Sequence, residues 1–127
     1  FEPRGQYIGT EPYSKWTKPS CVLIGEDNYS DASGFPYVYK TLEIGKLIGA
    51  PVPGTMTAVW WETQIDPTIV FGIPQVGAIG VKEGRYLENM QVEPDIEVYN
   101  DPASVLRGED KQLEAAVNEM LKTISNK

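Results

Sequence analysis

The sequence predicts an α/β fold, because a strand, a helix and a second strand follow one another near its start. The apolar run SCVLI (20–24) ends at a glycine and is typical of a strand buried on both faces of a parallel sheet. Apolar residues then recur at helical spacing from Phe35 to Leu42, and 47–49 returns as a short strand. Because parallel neighbours need a crossover connection, the segment 20–49 has the form of a βαβ unit.

Two residues set the expected limits of the helix. A proline is comfortable only in the first helical turn, so Pro36 fixes the helix start near itself and makes Ser33 the expected N-cap. Gly45 then fits the C-cap. Ahead of this unit, residues 1–19 are rich in Gly, Pro, Tyr and Trp, and we expect an extended arm or hairpin there.

The rest of the chain predicts more strands and a closing helix. Residues 50–100 are strand-rich, with the runs TMTAVWW, PTIVFGI and QVGAIGV and an edge strand at 94–98. Apolar residues recur on one face of 109–126, so a helix capped by Glu109 or Asp110 should dock on the sheet. With 127 residues, of which 41% are hydrophobic, the chain suits a single domain.

Composition excludes some partners. A net charge of -7 leaves no cationic surface for a phosphate backbone, so we expect no nucleic acid. No apolar run reaches membrane length and no signal-peptide pattern is visible, so we expect a soluble chain and no membrane partner. Because the chain begins at Phe1, we expect a piece of a longer protein. A periplasmic or secreted location would require a signal ahead of it.

Cysteine, histidine and carboxylate usage argues against a metal site. The single cysteine, Cys21, excludes an internal disulfide and predicts a buried, inert thiol. The chain has no histidine, so a serine–histidine triad cannot be completed within it. Acidic residues alternate from Glu93 to Asp101, but the glycine-turned loop of a calcium site is missing, and we interpret them as a solvated face.

The stretch GEDNYSDASGFPYVYK (25–40) places Ser30 in an elbow, which we define as the turn between the first strand and the helix. A serine there has an exposed hydroxyl beside the first helical N–H groups, which suits acyl transfer. Any helix entry also attracts such residues, because Asn28, Asp31 and Ser33 can cap or bridge turn amides. Ser30 as a nucleophile, Ser33 as a nucleophile and Ser30 as a plain turn residue all remain open at this point.

Three motifs, taken in order, resemble the serine peptidases of the tricorn and C-terminal processing (tail-specific) family. The motifs are YSDASGFPYVYKTLEIGKLIG, GRYLENMQVEPDI and GEDKQLEAAV. They are most similar to the tricorn branch, and the resemblance covers roughly 20–124. It implies a crotonase-like (ClpP/crotonase) core, of which 1–127 would form the C-terminal part of the peptidase domain.

Carried over residue by residue, the resemblance implies a catalytic site. Ser30 matches the family's nucleophilic serine, and the main-chain N–H of Asp31 matches an oxyanion donor. Glu88 matches the glutamate that orients the catalytic relay. The processing branch has a lysine base where this chain has Thr55. A histidine and a second serine would therefore come from a missing N-terminal half, and the chain alone would be inactive. The implied substrates are short peptides or unstructured C-termini, with no cofactor.

Other functions remain open beside this one. The crotonase-like fold also serves enzymes that act on acyl thioesters, although the elbow serine argues against that chemistry. The chain could instead be a noncatalytic peptide-binding or assembly module with exposed strand edges, or a plain α/β domain. Trp16, Trp60 and Trp61 would suit a binding surface, but we expect them in the core or against a partner. If a missing half covers the sheet, the fragment can pair with itself as a homo-oligomer.

Overall fold

The computed structural model describes residues 16–125, so nearly all of the predicted arm at 1–19 lies outside the described residues. The elements follow in chain order: β1 (Cys21–Ile24), α1 (Asp31–Thr41), β2 (Lys46–Gly49), β3 (Thr57–Thr63), β4 (Val70–Gly77), β5 (Ile96–Glu97), α2 (Pro102–Leu106) and α3 (Lys111–Ser125). None of the helices between residues 16 and 125 combines the length and the apolar character that a membrane span requires.

The main sheet has three parallel strands in the order β1-β2-β5. Cys21 pairs with Lys46 and Ile24 with Gly49, so the segment from β1 to β2 is the parallel βαβ unit that the sequence predicts. Parallel strands end at the same edge of a sheet, and the elbow lies at that edge, directly after β1. This topology confirms the α/β class.

The core lies between α1 and the sheet. Its buried side chains come from the strands, α1 and two later loop positions: Ile24, Tyr39, Leu47, Val52 and Val92. Asp95 also stabilises this sheet, because its carboxylate accepts the Leu47 N–H at 2.7 Å and pairs with Lys40. The prediction of a purely solvated acidic face is therefore wrong at this position.

Helix α3 packs on the opposite face of the sheet through Ala116, which is buried, and an ion pair joins Glu119 to Lys46 of β2. The prediction that this helix docks on the sheet agrees with these contacts, although Leu113 and Leu121 on its apolar face remain more than half exposed. Three short strands give α3 too little surface to cover. For the same reason Leu23, on the edge strand β1, is 43% exposed rather than buried.

The predicted start of α1 is also wrong. The helix begins at Asp31 rather than after Ser33, and Pro36 lies inside it. A proline within a helix leaves the carbonyl four residues earlier without its N–H donor, here that of Ala32. The Asn28 side chain supplies the donor instead, with its Nδ2 atom 2.7 Å from the Ala32 oxygen. One amide side chain thus lets the helix start a turn earlier than the proline suggests.

A separate two-stranded antiparallel ribbon is formed by β3 and β4. The sequence predicts two strands in 67–81, but the structure has one, Val70–Gly77, which runs through Pro74. Each strand of a two-stranded ribbon has one free edge, where a proline costs no ladder bond. A register shift beside Val59, the partner of Pro74, absorbs the remaining irregularity.

The ribbon holds Trp60 and Trp61, whose side chains are 62% and 66% exposed. The prediction that these two tryptophans pack in the core is therefore wrong in this chain.

Cys21 is only partly exposed. Burial raises the pKa of its thiol, and the negative charge of Glu119 raises it further.

Candidate active site

The elbow holds Ser30 in a rare backbone conformation, with φ 54° and ψ -117°. Non-glycine residues avoid this region because the side chain crowds the backbone, and such strain costs about 1–3 kcal/mol. Strained positive-φ residues of this kind cluster at catalytic sites, including the nucleophile elbows of hydrolases. Ser30 is solvent-exposed, so its hydroxyl is open to a substrate.

The N–H groups around the elbow differ in whether they have an acceptor. Ser30 N–H donates to Thr55 Oγ1 at 3.0 Å, and Ser33 N–H donates to the Ser30 carbonyl at 2.8 Å. Within residues 16–125, the Asp31 N–H has no acceptor. This N–H lies at the N-terminus of α1, where the helix dipole favours negative charge. The Asp31 N–H is therefore available as a donor to an anion that forms beside Ser30.

Glu88 lies in the turn that follows the ribbon, and it is partly buried. Its Oε2 atom accepts the Met56 N–H at 2.7 Å. This hydrogen bond, together with the Thr57 hydroxyl, lowers the pKa of the Glu88 carboxyl. The side chain is therefore a fixed negative charge at neutral pH.

An open cleft of about 460 Å³ brings these groups together. It contains both Ser30 and Glu88, which lie 58 residues apart in the chain (88 − 30 = 58). Its full lining comes from the elbow, the segment before the ribbon, the ribbon itself and the turn after it: Tyr29, Ser30, Thr55, Thr57, Val59, Gly72, Pro74 and Glu88.

Ser33, the alternative nucleophile, does not reach this cleft. Its side chain is fully buried, and its hydroxyl lies 3.4 Å from the Asn28 carbonyl and 3.2 Å from Thr55 Oγ1. A group already held on both sides and shielded from solvent is poorly placed to attack a substrate. The structure therefore argues against Ser33 and leaves Ser30 as the solvent-exposed serine of the two.

Thr55 carries a role that the sequence did not indicate, and Asn28 does more than the predicted bridging of a turn amide. Thr55 stands out in sequence only as a replacement for a lysine, yet it contacts both Ser30 and Ser33. Asn28 accepts the Gly25 N–H at 3.0 Å as well as donating to Ala32, so it spans the turn. Among the described residues, no group of three acidic, cysteine or histidine side chains is arranged to hold a metal.

Comparison with known proteins gives the family. The sequence model of Peptidase family S41 matches residues 3–98. The chain belongs to this peptidase family. The match confirms the family resemblance and spans the first two of the three motifs, including the elbow, the ribbon and Glu88.

Individual S41 relatives agree with this assignment. The tricorn protease of Thermoplasma acidophilum is 28% identical over 124 residues, which are 98% of this chain and 12% of that protein. A putative tricorn-like protease C-terminal subunit of Sulfurisphaera tokodaii is 26% identical over 118 residues, or 91% of this chain and 14% of that protein. The chain thus spans only about one-eighth to one-seventh of the length of these relatives.

A solved structure shows that the fold is also shared. The crystal structure of the tricorn protease superposes with a TM-score of 0.79 at 24% identity, over 98% of this chain and 12% of that one. The α/β arrangement of this S41 chain is therefore that of a peptidase.

Proposed function

We propose that the chain is the C-terminal portion of an S41 serine endopeptidase that cleaves peptide bonds through an acyl-enzyme on Ser30. The observation that carries the proposal is the strained, exposed elbow serine, which shares one cleft with the charged Glu88. Family membership supports peptide-bond chemistry, and likeness to the tricorn protease supports a crotonase-like core with 1–127 as its C-terminal part.

In the proposed mechanism, Ser30 Oγ attacks the peptide carbonyl carbon. A histidine from another part of the complete protein takes the hydroxyl proton, because these 127 residues contain no histidine. The carbonyl oxygen becomes an oxyanion and accepts the Asp31 N–H, which has no acceptor among the described residues. The histidine then protonates the leaving amine, and water hydrolyses the ester to release the acid and regenerate Ser30.

Glu88 would orient that histidine through an intervening serine, also supplied from outside the chain. Its lowered pKa supports this role, since a negative carboxylate stabilises the imidazolium that forms during attack. The 127-residue chain alone would be inactive. The complete protein would act on short peptides or unstructured C-termini and would need no cofactor.

A second candidate function is a noncatalytic peptide-binding or assembly module. The observation that favours it is the exposure of Trp60 and Trp61 on a ribbon whose outer edges are unpaired within the described residues. Such a module could keep the elbow without any activated serine. The two functions differ in whether Ser30 reacts.

The deciding experiment is labelling of the full-length protein with a fluorophosphonate probe. We expect rapid labelling of the wild type, none in Ser30→Ala, and labelling slower by about 100-fold in Glu88→Gln, because a poorly oriented base loses the attack geometry. Ser125→Ala, which removes an exposed hydroxyl at the end of α3, is the matched control and should label like the wild type. A folded wild type that does not label would favour the binding module.

A further inference from the structure

Thr55 connects the two halves of the candidate site. Its Oγ1 atom lies 3.0 Å from the Ser30 nitrogen and 3.2 Å from Ser33 Oγ, and the residue lines the same cleft as Ser30. The next residue, Met56, donates its N–H to Glu88. The short segment 55–56 therefore contacts the nucleophile on one side and the glutamate on the other.

The directions of these hydrogen bonds follow from the donors available. The Ser30 N–H can only donate, so Thr55 Oγ1 is its acceptor. The Asn28 carbonyl can only accept, so the Ser33 hydroxyl donates to it, at 3.4 Å. Each hydroxyl has a single proton, so the proton between Thr55 and Ser33 is that of Thr55. The chain of donors runs from Ser30 through Thr55 and Ser33 to Asn28.

This hydrogen-bond chain opposes the strain at the elbow. Ser30 keeps a backbone conformation that a non-glycine residue leaves unless its surroundings hold it. The Ser30 N–H donates to Thr55 in that conformation, and the fully buried Ser33 contacts the Thr55 hydroxyl from the other side. A threonine hydroxyl is neutral and does not act as a base at neutral pH, so its contribution is geometric.

We propose that Thr55 is a positioning residue that holds the Ser30 backbone in its reactive conformation through the hydroxyl. The inference rests on the proposed function, since it takes Ser30 as the nucleophile. It gives Thr55 a role different from that of the lysine found at the matching place in the processing branch. The hydroxyl keeps the nucleophile in place instead of removing its proton.

The test compares Thr55→Val, which keeps the shape and removes the hydroxyl, with Thr55→Ser, which keeps the hydroxyl. In the full-length protein, we expect fluorophosphonate labelling of Ser30 to be about tenfold slower in Thr55→Val and near wild type in Thr55→Ser, as the loss of one hydrogen bond predicts. Hydrogen exchange of a peptide spanning 25–34 should show one faster amide in Thr55→Val only.

The outcomes separate this inference from the proposed function. A wild type that does not label contradicts the peptidase proposal. The exchange measurement still reports on the hydrogen bond between the Ser30 N–H and Thr55. Equal labelling of folded Thr55→Val and Thr55→Ser, or unchanged exchange in Thr55→Val, overturns the inference. If Thr55→Val does not fold, Ser33→Ala gives the same test, because it removes the acceptor that orients Thr55. Unchanged labelling and exchange in Ser33→Ala would also overturn the inference.

Discussion

At Ser30 the backbone angles, φ 54° and ψ -117°, are the mirror image of the ordinary extended region. Glycine enters that mirror region freely, whereas alanine crowds its own backbone there. We therefore expect Ser30→Gly to be more stable than Ser30→Ala by about 1 kcal/mol, although both lose the hydroxyl. Urea unfolding of the two variants checks this. A more stable Ser30→Ala would show that the elbow is not strained.

Asp101 predicts a pH dependence. Lys111, then the hydroxyl and N–H of Ser104, hold the pKa of the Asp101 carboxyl well below its usual range. A carboxyl whose pKa is lower in the folded state stabilises the fold above its unfolded pKa of about 4, and this contribution is lost as the pH falls below that value.

Asp101→Asn should therefore unfold at lower urea concentration than the wild type at pH 7. The difference between the urea midpoints of the two proteins should narrow toward pH 3. The asparagine keeps an oxygen that can cap α2, so the variant isolates the effect of the charge. Asp101→Ala, which also removes the cap, should be less stable than Asp101→Asn at both pH values. A difference in urea midpoint between Asp101→Asn and the wild type that stays constant from pH 7 to pH 3 would contradict the lowered pKa of Asp101.

At the scale of elements, α1 depends on a side chain outside it. Asn28→Ala removes the donor to the Ala32 carbonyl and should destabilise the chain by about 1 kcal/mol. In a Pro36→Ala background, residue 36 regains an N–H that can serve the same carbonyl. The Asn28→Ala effect should then shrink by about half, as a double-mutant cycle measures. Equal effects in both backgrounds would mean that the Ala32 carbonyl does not need Asn28.

Sequence patterns predict the elements whose signal is local. The parallel unit from β1 to β2 follows from apolar runs and a helical period, and Ser30 and Glu88 were named from motifs. The start of α1 is mispredicted because Asn28 compensates for Pro36 through a contact that no propensity describes. Helix α2 is not predicted, although Asp101 and Pro102 mark its start, since five residues carry no period. The role of Thr55 depends on a contact 25 residues away in the chain.

For the whole molecule, the ribbon leaves a large apolar surface uncovered by the described residues. Trp60, Trp61 and Phe71 are each at least 60% exposed. Apolar patches with free strand edges favour association. We therefore expect the isolated 127-residue chain to self-associate, with a sedimentation coefficient that rises with protein concentration.

Replacing both Trp60 and Trp61 with threonine should shift this equilibrium toward monomer while keeping β propensity. Leu106→Thr, which removes an apolar side chain that is 88% exposed on α2, is the control and should leave association unchanged. A wild-type chain that stays strictly monomeric at high concentration would show that the ribbon does not pair.

The ribbon begins and ends at nearly the same point. The Ala78 N–H donates to the Met56 carbonyl, so residues 57–77 leave the domain and return to it side by side. Residues on that excursion line the cleft, and its first residue, Thr57, also hydrogen-bonds to Glu88. Ser30 and Glu88 themselves lie outside the excursion, and Thr55 and Met56 contact them there. A different hairpin grafted between Thr57 and Ala78 would thus reshape the cleft and keep the contacts that hold Ser30 and Glu88. Under the proposed function, exchanging this hairpin would change which peptides the cleft accepts.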